Sequence, residues 1–113
     1  MTVEKALKML ENYSKENTIK CLKIAWNVYF TDIRTVIEKV DKYAIDIKVL
    51  SKNGEKVGII RVFKNLQVKT PQINENYCQL EFLDENFDCH FTFEPIPLEF
   101  IKLLEEIIWK REI

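Results

Sequence analysis

The chain opens on an amphipathic pattern. Val3, Ala6, Leu7, Leu10 and Tyr13 recur at helical spacing with lysines and glutamates between them, so Thr2 to Glu16 is expected to form a helix. Thr2 can cap it, and Glu4 suits the positive end of its dipole. Residues 18–42 fit two patterns. Leu22, Ala25, Trp26, Tyr29, Ile33, Val36, Ile37 and Val40 make one unbroken helical stripe with no glycine or proline inside it. Ile24, Trp26, Val28 and Phe30 alternate as a strand would, with Thr31 or Asp32 able to cap a short helix afterwards. The unbroken stripe favours one long helix. The alternative is a strand over residues 20–30 followed by a short helix.

The middle of the chain alternates with period two. Asn53-Gly54 is a two-residue hairpin signal of type I′, because both residues tolerate positive φ. Folding about it sets Leu50 against Val57, Ile47 against Ile60, Ile45 against Val62 and Asp46 against Arg61. One face then carries Ile45, Ile47, Val49, Ile60 and Val62, and opposite charges meet on the other. Gly58 falls opposite Val49 and marks a bulge or a close approach. The segment Thr70 to Asn76 reads as a loop. A second hairpin alternates Cys78, Leu80 and Phe82 with Gln79 and Glu81, then Phe87, Cys89, Phe91 and Phe93 with Asp88, His90 and Thr92. A two-residue turn near Asp84-Glu85-Asn86 pairs Phe82 with Cys89, Leu80 with Phe91 and Glu81 with His90. Pro95-Ile96-Pro97 ends that strand and opens a last helix with a stripe of Phe100, Ile101, Leu104, Ile107 and Ile108. The expected fold is therefore α+β, a four-stranded antiparallel meander with helices packed on it, in the order α-α-β-β-β-β-α.

Residues 1–113 read as a single domain, near the commonest domain size and without a linker or repeat. The 17 basic and 18 acidic side chains leave a net charge of −1, which argues against a nucleic-acid partner, since phosphate binding calls for a basic excess. No run approaches the roughly 18 apolar residues of a membrane span, and no signal-peptide pattern opens the chain. Cys21, Cys78 and Cys89 are odd in number and unevenly spaced, as reduced thiols of a cytoplasmic protein would be. The 14 lysines against 3 arginines, with 14 isoleucines, match AT-rich codons and suggest a microbial or phage genome.

Candidate chemistry is sparse. His90 is the sole histidine, and its cross-strand neighbour Glu81 could orient it as a base; an ordinary surface pair is the simpler reading. Cys89 and His90 are adjacent in a strand and point to opposite faces, so they form no dyad. No metal-ligand spacing, glycine-rich phosphate cradle or calcium loop is present, and no cofactor is expected. Apolar surface stands out instead. The solvent face of the first hairpin would carry Leu50, Val57, Ile59 and Phe63, too apolar for open water unless a helix or a partner covers it. Leu98, Trp109 and Ile113 form a second stripe opposite the core arc of the last helix. These seven residues are the candidate partner-binding set. The reading that follows is a small non-enzymatic protein-binding module, by analogy with microbial immunity proteins, antitoxins and phage inhibitors, acting on a protein partner or as a homodimer. The alternative is a small enzyme or ligand-binding domain with a pocket between helices and sheet.

Overall fold

The computed structural model describes residues 1–101. The first helix is as expected. Helix α1 (Val3–Glu16) is capped by Thr2, whose hydroxyl accepts from the Lys5 amide at 3.2 Å. Its inner face buries Val3, Ala6, Leu7, Met9 and Leu10.

The rest of the architecture corrects the four-stranded meander. Seven strands follow: β1 (Ile19–Ile24), β2 (Asn27–Val40), β3 (Ala44–Ser51), β4 (Lys56–Phe63), β5 (Gln67–Lys69), β6 (Tyr77–Leu83) and β7 (Cys89–Pro97). They form one antiparallel sheet in the order β4-β3-β2-β1-β7-β6-β5. The long helix over residues 18–42 does not exist, nor does the strand-plus-short-helix alternative in full. Residues 19–24 and 27–40 are two strands joined by a tight turn at Ala25-Trp26. Leu22 and Ile33 of the supposed stripe are buried, but Trp26, Tyr29, Val36 and Val40 face solvent. A helix would have sent all of them one way. The β-branched and aromatic density decided the local structure, and β1 gained ladders on both sides, to β2 and β7.

The sheet is rolled. Strands β4 and β5 are its two edges, about 29 Å apart if seven strands lay flat. Only residues 64–66 join them, and that link spans at most about 14 Å. The sheet therefore curls, and α1 packs against its concave side, touching both β2 and β5. The core lies between them, with Leu7, Leu10, Leu22, Ile47, Phe82 and Phe93 among its fully buried side chains.

Helix α1 also seals an edge. β1 pairs with β2 only as far as Ile33, so residues 34–40 of β2 have β3 on one side alone. Ser14 Oγ accepts from the Thr35 amide at 3.0 Å and lies 3.1 Å from the Thr35 carbonyl, while the Glu11 carboxylate accepts from the Ile37 amide. Arg34 donates to the carbonyls of Ser14 and Lys15, a cation at the negative end of the helix dipole. Covering an open strand with a helix in this way satisfies backbone groups that would otherwise be orphaned.

The second hairpin is offset from the expected register. Phe82 pairs with Phe91, Leu80 with Phe93 and Glu81 with Thr92. The shift is two residues, which keeps each side chain on its face. One residue of the shift comes from a longer turn, in which Asp84 Oδ1 accepts from the amides of Asn86 and Asp88, and the other from a bulge at His90 between the Leu83–Cys89 and Phe82–Phe91 pairs. Strand β7 runs through Pro95 and Pro97, and residues 98–101 are helical. Phe100 packs edge-on to Tyr13 with ring centroids 5.4 Å apart. The remainder of the expected last helix, including Trp109 and Ile113, lies outside the described residues.

Candidate protein-binding surface

The β3–β4 hairpin carries the surface singled out in the sequence. Its ladder pairs Ile45 with Val62, Asp46 with Arg61 and Ile47 with Ile60, as the apolar alternation requires. The turn differs from the expected two-residue form. Only Gly54 has positive φ, at +88°, and Lys52, Asn53 and Gly54 form a three-residue loop closed by Ser51 donating to the Glu55 carbonyl at 2.7 Å. A bulge at Val57 then restores the register, so Leu50 meets Lys56 and not Val57. Gly58 sits beside that bulge opposite Val49. A Cβ there would lie 3.3 Å from the Phe30 ring, so the small residue makes room for Phe30 to cross.

On the outer face, Val57, Ile59 and Phe63 are 47%, 48% and 49% exposed, and Leu50 is half-buried. No helix of the described chain lies over them. Two residues extend the patch that the sequence reading did not assign to it. Val36 on β2 stands in line with Lys48 and Ile59 across three strands, and Tyr43, 71% exposed, joins Phe63 in lining a shallow depression with Lys42, Lys64 and Asn65. Val36 was hidden because the expected helix covered residues 18–42, and Tyr43 because it lies just before the β3 strand pattern begins. Arg61 grips Asp46 through two hydrogen bonds of 2.8 and 3.1 Å, and that guanidinium holds the Asp46 carboxyl below its ordinary range. With those two charges cancelled, Lys42, Lys48, Lys56 and Lys64 outnumber the nearby acids Asp41 and Glu55. The patch therefore interleaves apolar side chains with basic ones, Lys48 standing between Val36 and Ile59 and Arg61 between Ile59 and Phe63. Leu98, from the second candidate stripe, is half-buried and packs against the core, away from this surface.

A second exposed cluster stands at one end of the sheet. Ala25 and Trp26 form the β1–β2 turn with φ of +49° and +70°, a type I′ geometry without glycine or asparagine. The neighbouring β6–β7 turn holds Phe87 at φ +63°. Trp26, Tyr29 and Phe87 are 57%, 65% and 63% exposed. Nothing in the composition of the Ala25-Trp26 turn signalled it, since neither is a usual turn residue, whereas the β6–β7 turn was expected from Asp84-Glu85-Asn86.

The candidate chemical groups are dispersed. His90 bonds Asp84 at 3.0 Å, not Glu81, and that bond holds the Asp84 carboxyl low. Cys89 is buried with its sulfur 3.1 Å from the Thr92 hydroxyl, and burial pushes its thiol up, as it does that of Cys21. Neither is poised as a thiolate nucleophile. Lys23 pairs with Glu94 at 2.6 Å, and Gln79 donates to the other oxygen of the same carboxylate. Among the described residues no group of three potential ligands could hold a metal ion, and no helix is long and apolar enough to cross a membrane. In comparisons with known proteins, no family model matches the chain, and no curated protein or solved structure is significantly similar to it.

Proposed function

We propose that this protein is a non-enzymatic binding module that acts by occupying a partner protein, with the outer face of the β3–β4 hairpin as its contact surface. The observation that carries the reading is the exposure of Val57, Ile59 and Phe63 on one hairpin, with Val36 and Tyr43 nearby. Contiguous apolar area of this kind on a soluble domain marks a place of contact. Its lysines favour a partner that carries acidic groups among apolar ones. The reading fits the class of immunity proteins, antitoxins and phage inhibitors, with a cytoplasmic setting, by analogy of size and composition.

The double substitution Ile59→Glu with Phe63→Glu tests it. Both side chains are half in water, so the variant should fold with near-native stability. It should also fail to retain the protein that the wild type captures from the source lysate. Unfolding of the double variant would place these residues in the core, where unpaired charge is costly, and would refute the reading. Retention of the same partner by a folded variant would refute it equally.

A further inference from the structure

We infer that β4 takes up an extended segment of the partner as an eighth strand of the sheet, a segment that alternates apolar residues and carries acidic residues at both ends. The inference rests on the proposed contact surface and names what that surface accepts. β4 is eight residues long and forms one edge of the sheet. The other edge, β5, has three residues and offers little to pair with. Lys64 donates to the Tyr43 carbonyl at 2.8 Å, which fixes the hydrogen-bonding phase of the β3–β4 ladder. Even-numbered residues of β4 turn their backbone groups toward β3. Ile59, Arg61 and Phe63 turn theirs outward. A strand added there meets the outward N–H groups of Ile59, Arg61 and Phe63 and the carbonyls of Ile59 and Arg61, the Phe63 carbonyl already accepting from the Leu66 amide at 3.3 Å, and its alternate side chains continue the row of Ile59 and Phe63.

Charge selects the occupant. Lys56 begins β4 and Lys64 lies just past its end, and neither has an ion-pair partner among the described residues. A second copy of this chain fits poorly. Pairing β4 with itself about Ile60 sets Lys56 against the second copy's Lys64. Pairing about Arg61 opposes two guanidiniums. Pairing about Ile59 runs the Val57 bulge against Arg61 and breaks the ladder. These conflicts guard the edge against self-association, and a segment with acidic ends relieves them.

The test uses synthetic peptides of about ten residues, the length of a long strand. One alternates valine and threonine between paired glutamates at each end, and a second carries lysines in place of the glutamates. The first should bind and slow amide exchange at Ile59, Arg61 and Phe63, while Ile60 and Val62 are protected already. The lysine peptide should bind at least about tenfold more weakly. Ile59→Pro, which removes one outward N–H and leaves the β3 ladder intact, should abolish the effect with the fold retained. If that variant fails to fold, the exchange pattern of the wild type alone decides. Equal binding of both peptides, or slowed exchange elsewhere, would overturn the inference. So would slowing that grows with protein concentration without peptide, the mark of a second copy. If the glutamate peptide fails while Ile59→Glu/Phe63→Glu still loses the lysate partner, strand addition falls and the contact surface stands.

Discussion

Ser14→Ala offers a sharp test of how α1 is joined to the sheet. Ser14 is 2% exposed, and its hydroxyl serves both the amide and the carbonyl of Thr35. Thr35 is itself 2% exposed and lies where β2 has no β1 neighbour. Alanine would leave a buried N–H with no acceptor, at about 1–3 kcal/mol. The carbonyl adds less, because an under-satisfied C=O is better tolerated than an orphaned N–H. The void left by one oxygen is small. A total near 2 kcal/mol follows, or roughly 8 °C in Tm for a domain of this size. Urea denaturation of the wild type, Ser14→Ala and the exposed control Lys15→Ala would measure it, with amide exchange at Thr35 as a local readout. A loss under about 0.5 kcal/mol, the level of a surface substitution, would refute the account of the sealed edge.

Other substitutions test other parts of the structure. Thr35 Oγ1 is enclosed and has no hydrogen-bond partner among the described residues, so Thr35→Val should raise stability by about 1 kcal/mol in the same assay. Ala25→Asn should also stabilise, by about 0.5–1 kcal/mol, because asparagine tolerates the positive φ that alanine is forced into; a loss would mean the turn is not type I′. The carboxyls of Asp41, Asp46 and Asp84 are held low by the Ala44 and Tyr43 amides, by Arg61 and by His90 respectively. Groups depressed in the folded state add stability above their unfolded value of about 3.9, and that stability is lost as the pH falls through their folded values. The urea midpoint should therefore drop below about pH 4, and Asp46→Asn should flatten that drop; an unchanged acid limb would contradict the assignment. His90→Ala should leave partner binding intact, and a loss beyond about a hundredfold would point to a catalytic base instead.

The parts of the fold that local chemistry dictates were readable in advance. Thr2 and the stripe from Val3 to Tyr13 define α1, and the alternation around Asp46 and Arg61 sets the β3–β4 register. Residues 18–42 were not readable, because their apolar positions satisfy the helical and the strand period together, and only pairing with β3 and β7 separates them. β5 is too short to leave a pattern. The prolines misplaced the end of β7. Its pairing with β1 stops at Glu94, so Pro95 and Pro97 lie where that side of the strand is open and a missing N–H is tolerated. The same confusion over residues 18–42 hid Val36, while Leu50, Val57, Ile59 and Phe63 followed from the hairpin alone.

The central claim is that the outer face of the β3–β4 hairpin is where this protein meets its partner. The most direct measurement is site-specific photo-crosslinking in the source cells, with a photoreactive residue placed at Ile59 and, separately, at Lys20 and Asn86 as exposed controls away from the patch. The account predicts one discrete covalent adduct from position 59, lost when Phe63→Glu is added, and none from the two controls. Adducts from Lys20 or Asn86 of equal yield, or an adduct from position 59 indifferent to Phe63→Glu, would contradict it.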